Sequence, residues 1–118
     1  METVFGQYIR KRREALKGAD ARFSVRQLAR RVGIEPSYLS KIERGLQPPP
    51  GEQTIIDLAG ELDEDPDVLL AMAGKVSSDL QEIILKRPRL FAELIRQLKE
   101  SPEHAVLRLV REVRDGRW

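Results

Sequence analysis

The first 45 residues carry eleven Lys or Arg against five Asp or Glu, a local charge of +6, and residues 46–118 carry ten against fourteen, or −4. The whole chain of 118 residues nets only +2, so the total hides the asymmetry. Guanidinium and ammonium groups gathered at one end read, taken alone, as a solvated surface; coincident, as here, with a motif that can face a polyanion, they read instead as donors to its phosphate oxygens. Arg10, Lys11, Arg13 and Lys17 lie off the apolar row of a first helix and are candidate phosphate contacts. Other chemistries find little support. Without cysteine there is no disulfide, thiolate zinc site or cysteine nucleophile, as suits a reducing cytoplasm. The only histidine, His104, stands beside Glu103 in a first helical turn with no nucleophile or metal partner, so an enzyme is not expected. Asp63 and Asp67 read as capping carboxylates, not metal ligands, because no compact ligand loop surrounds them. Neither a metal nor a cofactor is expected.

The elements that must position the cations centre on Ser24 to Gly45, SVRQLARRVGIEPSYLSKIERG. Ser24 caps a helix, Gln27 completes a capping box, and Leu28, Ala29 and Val32 share one face. Gly33 supplies the left-handed stop and Ile34 tucks back behind it. Pro36 starts a second helix whose inward residues are Leu39 and Ile42, and Gly45 ends it. A small residue at Ala29 lets the two helices cross closely. That spacing is a helix-turn-helix. With SYLSKIERG following, the chain from about residue 4 to residue 74 resembles the lambda-repressor-like, xenobiotic-response-element (Xre) type family of bacterial and phage regulators.

The resemblance implies a five-helix, all-α domain that binds double-stranded DNA, with the helix from Pro36 to Arg44 in the major groove. Carried over position by position, it sets Glu35, Pro36, Ser37, Tyr38 and Lys41 against base edges. Lys41 donates to guanine O6 and N7, Ser37 donates or accepts, and Pro36 offers an apolar contact to a thymine methyl. Glu35 either accepts from cytosine N4 or caps its helix, and Tyr38 either stacks on sugar or packs on the helix. Arg10, Ser24, Arg26, Ser40, Arg44 and Gln47 belong to the DNA backbone in this reading. Glu43 braces a basic residue. Two departures stand out. The connection Lys17 to Phe23, KGADARF, is longer than the family's tight turn, with Phe23 as its anchor and Arg22 within reach of a backbone. Val25 stands where many relatives place a donating glutamine, and Arg26 replaces that phosphate contact from a helix N-terminus.

The rest of the chain follows from periodicity and punctuation. Phe5, Ile9, Arg12 and Leu16 fall on one row of the helix over residues 4–17, with the Arg12 stem along the core and its guanidinium in water. Leu46 to Gly51, LQPPPG, is extended and stiff. Glu52 to Leu62 turns Ile55, Leu58, Ala59 and Leu62 inward. Asp65 caps a fifth helix with Pro66 first, Val68, Leu69 and Met72 inward, and Gly74 as its stop. The eight acidic residues between Glu52 and Asp79 should face away from DNA.

Residues 1–74 thus form the DNA-binding domain, and residues 75–118 form a C-terminal segment of three short amphipathic helices. Ser78 and Gln81 open the first, ahead of Leu80, Ile83 and Ile84. Leu90, Phe91, Leu94, Ile95 and Leu98 stripe the second. Ser101 and Pro102 start the third, whose inward residues are Ala105, Val106, Leu109, Val110 and Val113. These stripes either cover the first domain or pair with a twin copy, and a homodimer reading two half-sites is preferred. Trp118 is expected to fray. No apolar run approaches the roughly 20 residues that span a bilayer, and nothing resembles a signal peptide, so a cytoplasmic protein is expected. The expected function is a transcriptional regulator, a repressor by family habit. The alternative is an adaptor or antitoxin whose C-terminal helices hold another protein, with DNA binding used for autoregulation.

Overall fold

The computed structural model describes residues 4–116, which are all-α with no strand among them. Trp118 lies outside the described residues. The elements are α1 (Val4–Lys17), a 3-10 turn (Ala21–Phe23), α2 (Val25–Val32), α3 (Pro36–Glu43), α4 (Glu52–Leu62), α5 (Pro66–Met72), α6 (Ser78–Lys86), α7 (Pro88–Lys99) and α8 (Glu103–Asp115). The chain divides into two compact units, one ending at Ser77 and the other beginning at Ser78.

In the first unit every helix contributes to one core. Phe5 and Ile9 come from α1, Leu28, Ala29 and Val32 from α2, and Leu39 and Ile42 from α3. Ile55, Leu58, Ala59 and Leu62 come from α4, and Leu69 and Leu70 from α5. Each large side chain fully withdrawn from water contributes about 1.5 to 3 kcal/mol before the entropy of ordering it is subtracted. Phe23 packs against this core and anchors the long α1–α2 connection, with the Arg31 guanidinium 5.0 Å from its ring centroid. Arg31 also donates to the Arg22 carbonyl at 2.6 Å and to Glu61 Oε2 at 2.8 Å, so the inserted loop is tied to α2 and α4. Asp20 caps the 3-10 turn by accepting the Arg22 N–H at 2.9 Å.

The fifth helix differs from its expected face. Leu70 is buried, whereas Val68 is exposed. The run from Val68 to Ala73 has no polar residue to mark its outer face, so periodicity alone cannot orient it. Asp65 does cap α5, accepting the Asp67 N–H at 2.9 Å. Asp63 ends α4 in the left-handed region at φ 55. Among the described residues, no group of three or more His, Asp or Glu is placed to hold a metal ion.

The second unit has no fully buried residue among those described. Phe91, Leu98, Val106 and Leu109 are half-buried, while Leu94, Val110, Ile95, Val113 and Leu90 range from 38% to 69% exposed. Ser78 is already the first residue of α6. Ser101 does not open α8. Its hydroxyl donates to the Gln97 carbonyl at 2.8 Å and so closes α7, leaving the N-cap of α8 to Pro102. Pro102 lacks an N–H and has no side-chain oxygen, which is why α8 starts without a side-chain cap. No described helix is long and apolar enough to cross a membrane.

Candidate nucleic-acid interface

The turn between α2 and α3 is built from three residues with fixed backbone tasks. Gly33 sits at φ 74; its N–H donates to the Arg30 carbonyl at 3.2 Å, and Ile34 N–H reaches Ala29 at 3.0 Å. These two bonds satisfy carbonyls that the end of α2 would otherwise leave unpaired. Pro36 then opens α3 at a position where no N–H is needed. The end of α3 repeats the device, with Gly45 at φ 74 and Leu46 N–H donating to the Lys41 carbonyl at 2.8 Å. At the start of α2, Ser24 Oγ accepts the Gln27 N–H at 3.2 Å. The reciprocal half of the expected capping box is not made, because the Ser24 N–H is already given to the Ala21 carbonyl in the 3-10 turn.

Arg13 is not a phosphate contact. It is 5% exposed and forks onto Glu43, itself 3% exposed, through Nε to Oε2 at 2.7 Å and a terminal nitrogen to Oε1 at 2.9 Å. A third donor of the same guanidinium reaches the Phe23 carbonyl at 3.2 Å. Arg13 is therefore the basic residue that Glu43 braces, and the Glu43 hydrogen bonds hold its proton more firmly than usual. Arg12 is also tied down. Its Nε donates to the Leu62 carbonyl at 3.0 Å and lies 3.2 Å from Glu64 Oε1, which also accepts the Tyr8 hydroxyl at 2.8 Å. That hydrogen bond raises the Tyr8 hydroxyl above its usual titration range.

The cations of the first 45 residues thus separate into two sets. Arg12, Arg13, Arg22 and Arg31 are each paired with a carboxylate of the fold, Glu64, Glu43, Asp20 and Glu61 respectively. Arg22, expected to reach a backbone, is held instead in a two-pronged pair with Asp20, and those bonds lower the Asp20 carboxyl to about 2. Arg10 makes only an exposed pair with Glu14 at 3.2 Å, one turn on. Among the described residues, no carboxylate lies within ion-pair distance of Lys11, Lys17, Arg26, Arg30, Lys41 or Arg44, and all six are exposed.

Two open notches gather most of the expected site residues. Arg10, Ser40 and Arg44 line one of about 210 Å³, together with Val25 and the Arg13–Glu43 pair. Arg26, Glu35 and Pro36 line another of about 260 Å³, with Arg30 and Ile34. On α3, Ser37 and Lys41 are exposed, Pro36 and Ser40 are half-buried, and Tyr38 is half-buried against the core. Glu35 makes no side-chain cap bond. Its carboxylate is exposed at the leading end of α3. Gln47 is exposed just beyond the helix, its N–H 3.3 Å from the Lys41 carbonyl. Arg30 was not among the expected contacts. The signal for it is its place four residues after Arg26 on the polar face of α2.

A family model described as the helix-turn-helix domain matches residues 4–71. Over 69 residues, 58% of this chain and 45% of theirs, the sequence is 39% identical to two proteins of Mycobacterium tuberculosis, both named uncharacterized HTH-type transcriptional regulators. One is from strain CDC 1551 / Oshkosh and the other from strain ATCC 25618 / H37Rv, and the chain spans less than half the length of each. No solved structure gives a significant match. With both helices, the glycine-closed turn and the core behind it all inside the matched span, the chain belongs to the helix-turn-helix domain family.

Proposed function

We propose that the chain is a sequence-specific regulator of Xre, lambda-repressor-like type that binds double-stranded DNA in the cytoplasm and represses transcription. The supporting observation is the set of exposed cations with no carboxylate partner among the described residues, Arg26, Arg30, Lys41 and Arg44, around an α3 whose Ser37 and Lys41 face solvent. A cation paired with a carboxylate of the fold is less available to a phosphate, and these four have no such pair among the described residues. In this reading Glu35, Pro36, Ser37, Tyr38 and Lys41 meet base edges. Arg10, Ser24, Arg26, Ser40, Arg44 and Gln47 meet the backbone. The regulator names of the two mycobacterial proteins agree with it.

The chain acts as a homodimer through Leu90, Phe91, Leu94, Ile95, Leu98, Val106, Leu109, Val110 and Val113. Segments of about 40 residues or fewer usually need a disulfide, a metal or an association to be stable, and α6 to α8 leave their large apolar side chains exposed or half-buried. The same stripes suit the second reading, an adaptor or antitoxin that gives them to another protein. Mass measurement of the purified chain separates the two: a dimer supports pairing, and a monomer whose apolar helices stay exposed supports capture of a partner. A preference of the wild-type chain for one duplex sequence, lost in the Ser37→Ala, Lys41→Ala double variant, supports the groove reading, and an equal preference in both would contradict it.

A further inference from the structure

Lys75 is the only lysine between Glu52 and Asp79, a stretch with eight acidic residues. Its ammonium nevertheless goes to a main-chain oxygen, donating to the Pro50 carbonyl at 2.7 Å across 25 positions of sequence. The base of this side chain is fixed. Gly74, at φ 73, closes α5, and the Lys75 N–H donates to the Leu70 carbonyl at 2.9 Å. Pro50 is buried and Lys75 half-buried.

The loop that Lys75 holds is the one leaving α3. Its first residues are pinned to α3 itself, where the Lys41 carbonyl accepts from Leu46 at 2.8 Å and Gln47 at 3.3 Å. Pro48, Pro49 and Pro50 then have no N–H to donate, and a run of prolines makes no internal hydrogen bonds. The far end runs into α4, where the Gly51 carbonyl accepts the Ile55 N–H at 3.1 Å, and the Lys75 ammonium holds the Pro50 carbonyl just ahead of it. Gln47, held at the first of these pins and leading directly into the prolines, is exposed.

We infer that Lys75 is a positioning residue for DNA binding: by holding the Pro50 carbonyl it sets the path of residues 46–51 and so presents Gln47 to a phosphate. This rests on the groove reading of α3 given above. Lys75 acts through Gln47 and adds no charge at the duplex.

A double-mutant cycle on a bound duplex tests it, with Lys75→Met, Gln47→Ala and the pair measured over a series of salt concentrations. Losing one neutral phosphate contact is expected to weaken binding about three- to tenfold. The factor should be the same on every sequence. The double variant should be no weaker than either single one, and Lys75→Arg should bind as the wild type does. The salt slope of Lys75→Met should match that of the wild type. A slope shallower by about one would instead make Lys75 a direct phosphate contact, and additive losses would make it a general support of the fold; either overturns the inference. If Lys75→Met does not fold, Lys75→Leu, which likewise has no donor, gives the same readout. A wild-type chain that binds no duplex overturns the groove reading itself, a result distinct from these.

Discussion

Arg13 and Glu43 lie thirty residues apart and meet out of water, in a two-pronged pair of 2.7 and 2.9 Å that fastens α1 to the last turn of α3. Removing one partner leaves the other charged and without water. Arg13→Met or Glu43→Gln alone should cost about 3 to 5 kcal/mol in urea denaturation, and Arg13→Met with Glu43→Leu should recover most of it. Single losses below about 1 kcal/mol would mean the pair is not the anchor it looks like.

Two glycines should respond in opposite directions. A Cβ on Gly33 meets nothing within 4 Å, so Gly33→Ala tests only the left-handed backbone at φ 74 and should cost about 1 to 2 kcal/mol. Gly60, inside α4, is likewise open and has no positive φ, so Gly60→Ala should stabilise by about 0.5 to 1 kcal/mol. Thermal melts of the two variants check the signs, and a stabilising Gly33→Ala would refute the backbone argument.

Asp20 gives the acid side of the stability curve a recognisable component. Its hydrogen bonds with Arg22 hold the carboxyl at about 2, below its ordinary value of 3.8. A folded value below the unfolded one means that the contribution is complete above about pH 3.8 and disappears as pH falls through about 2. Asp20→Asn should therefore flatten that part of the curve relative to the wild type. A carboxyl signal titrating near 3.8 would remove the effect.

The punctuation of the first unit was open to reading because it acts locally. Ser24, Gly33, Pro36, Gly45 and Asp65 each perform a task set by their own backbone, and the apolar rows of α2 and α4 are buried as their spacing requires. The Arg13–Glu43 pair was hidden because its partners come from distant helices. A trace of it exists, since Phe5, Ile9 and Arg13 follow one another at four-residue steps along the inner face of α1. Arg12, next to that row, reads equally well. In α7 and α8 the stripes are plain in the sequence, but periodicity says only that a surface is apolar and not what covers it.

Within the interface, charge and specificity should come apart. Lys41→Ala should relax base preference at one half-site position, at a cost of about 1 to 3 kcal/mol on the preferred duplex. Arg26→Ala should weaken all duplexes alike and make the log-log salt slope shallower by about one. Anisotropy titrations at several salt concentrations distinguish the two patterns, and a uniform loss for Lys41→Ala would remove it from the base edges.

Selection of bound duplexes from a random pool asks most directly whether α3 reads DNA. The wild-type chain should enrich an inverted repeat with half-site centres about 10 base pairs apart. The Ser37→Ala, Lys41→Ala variant should lose that preference. A pool that stays unenriched with the folded wild-type chain would contradict the account.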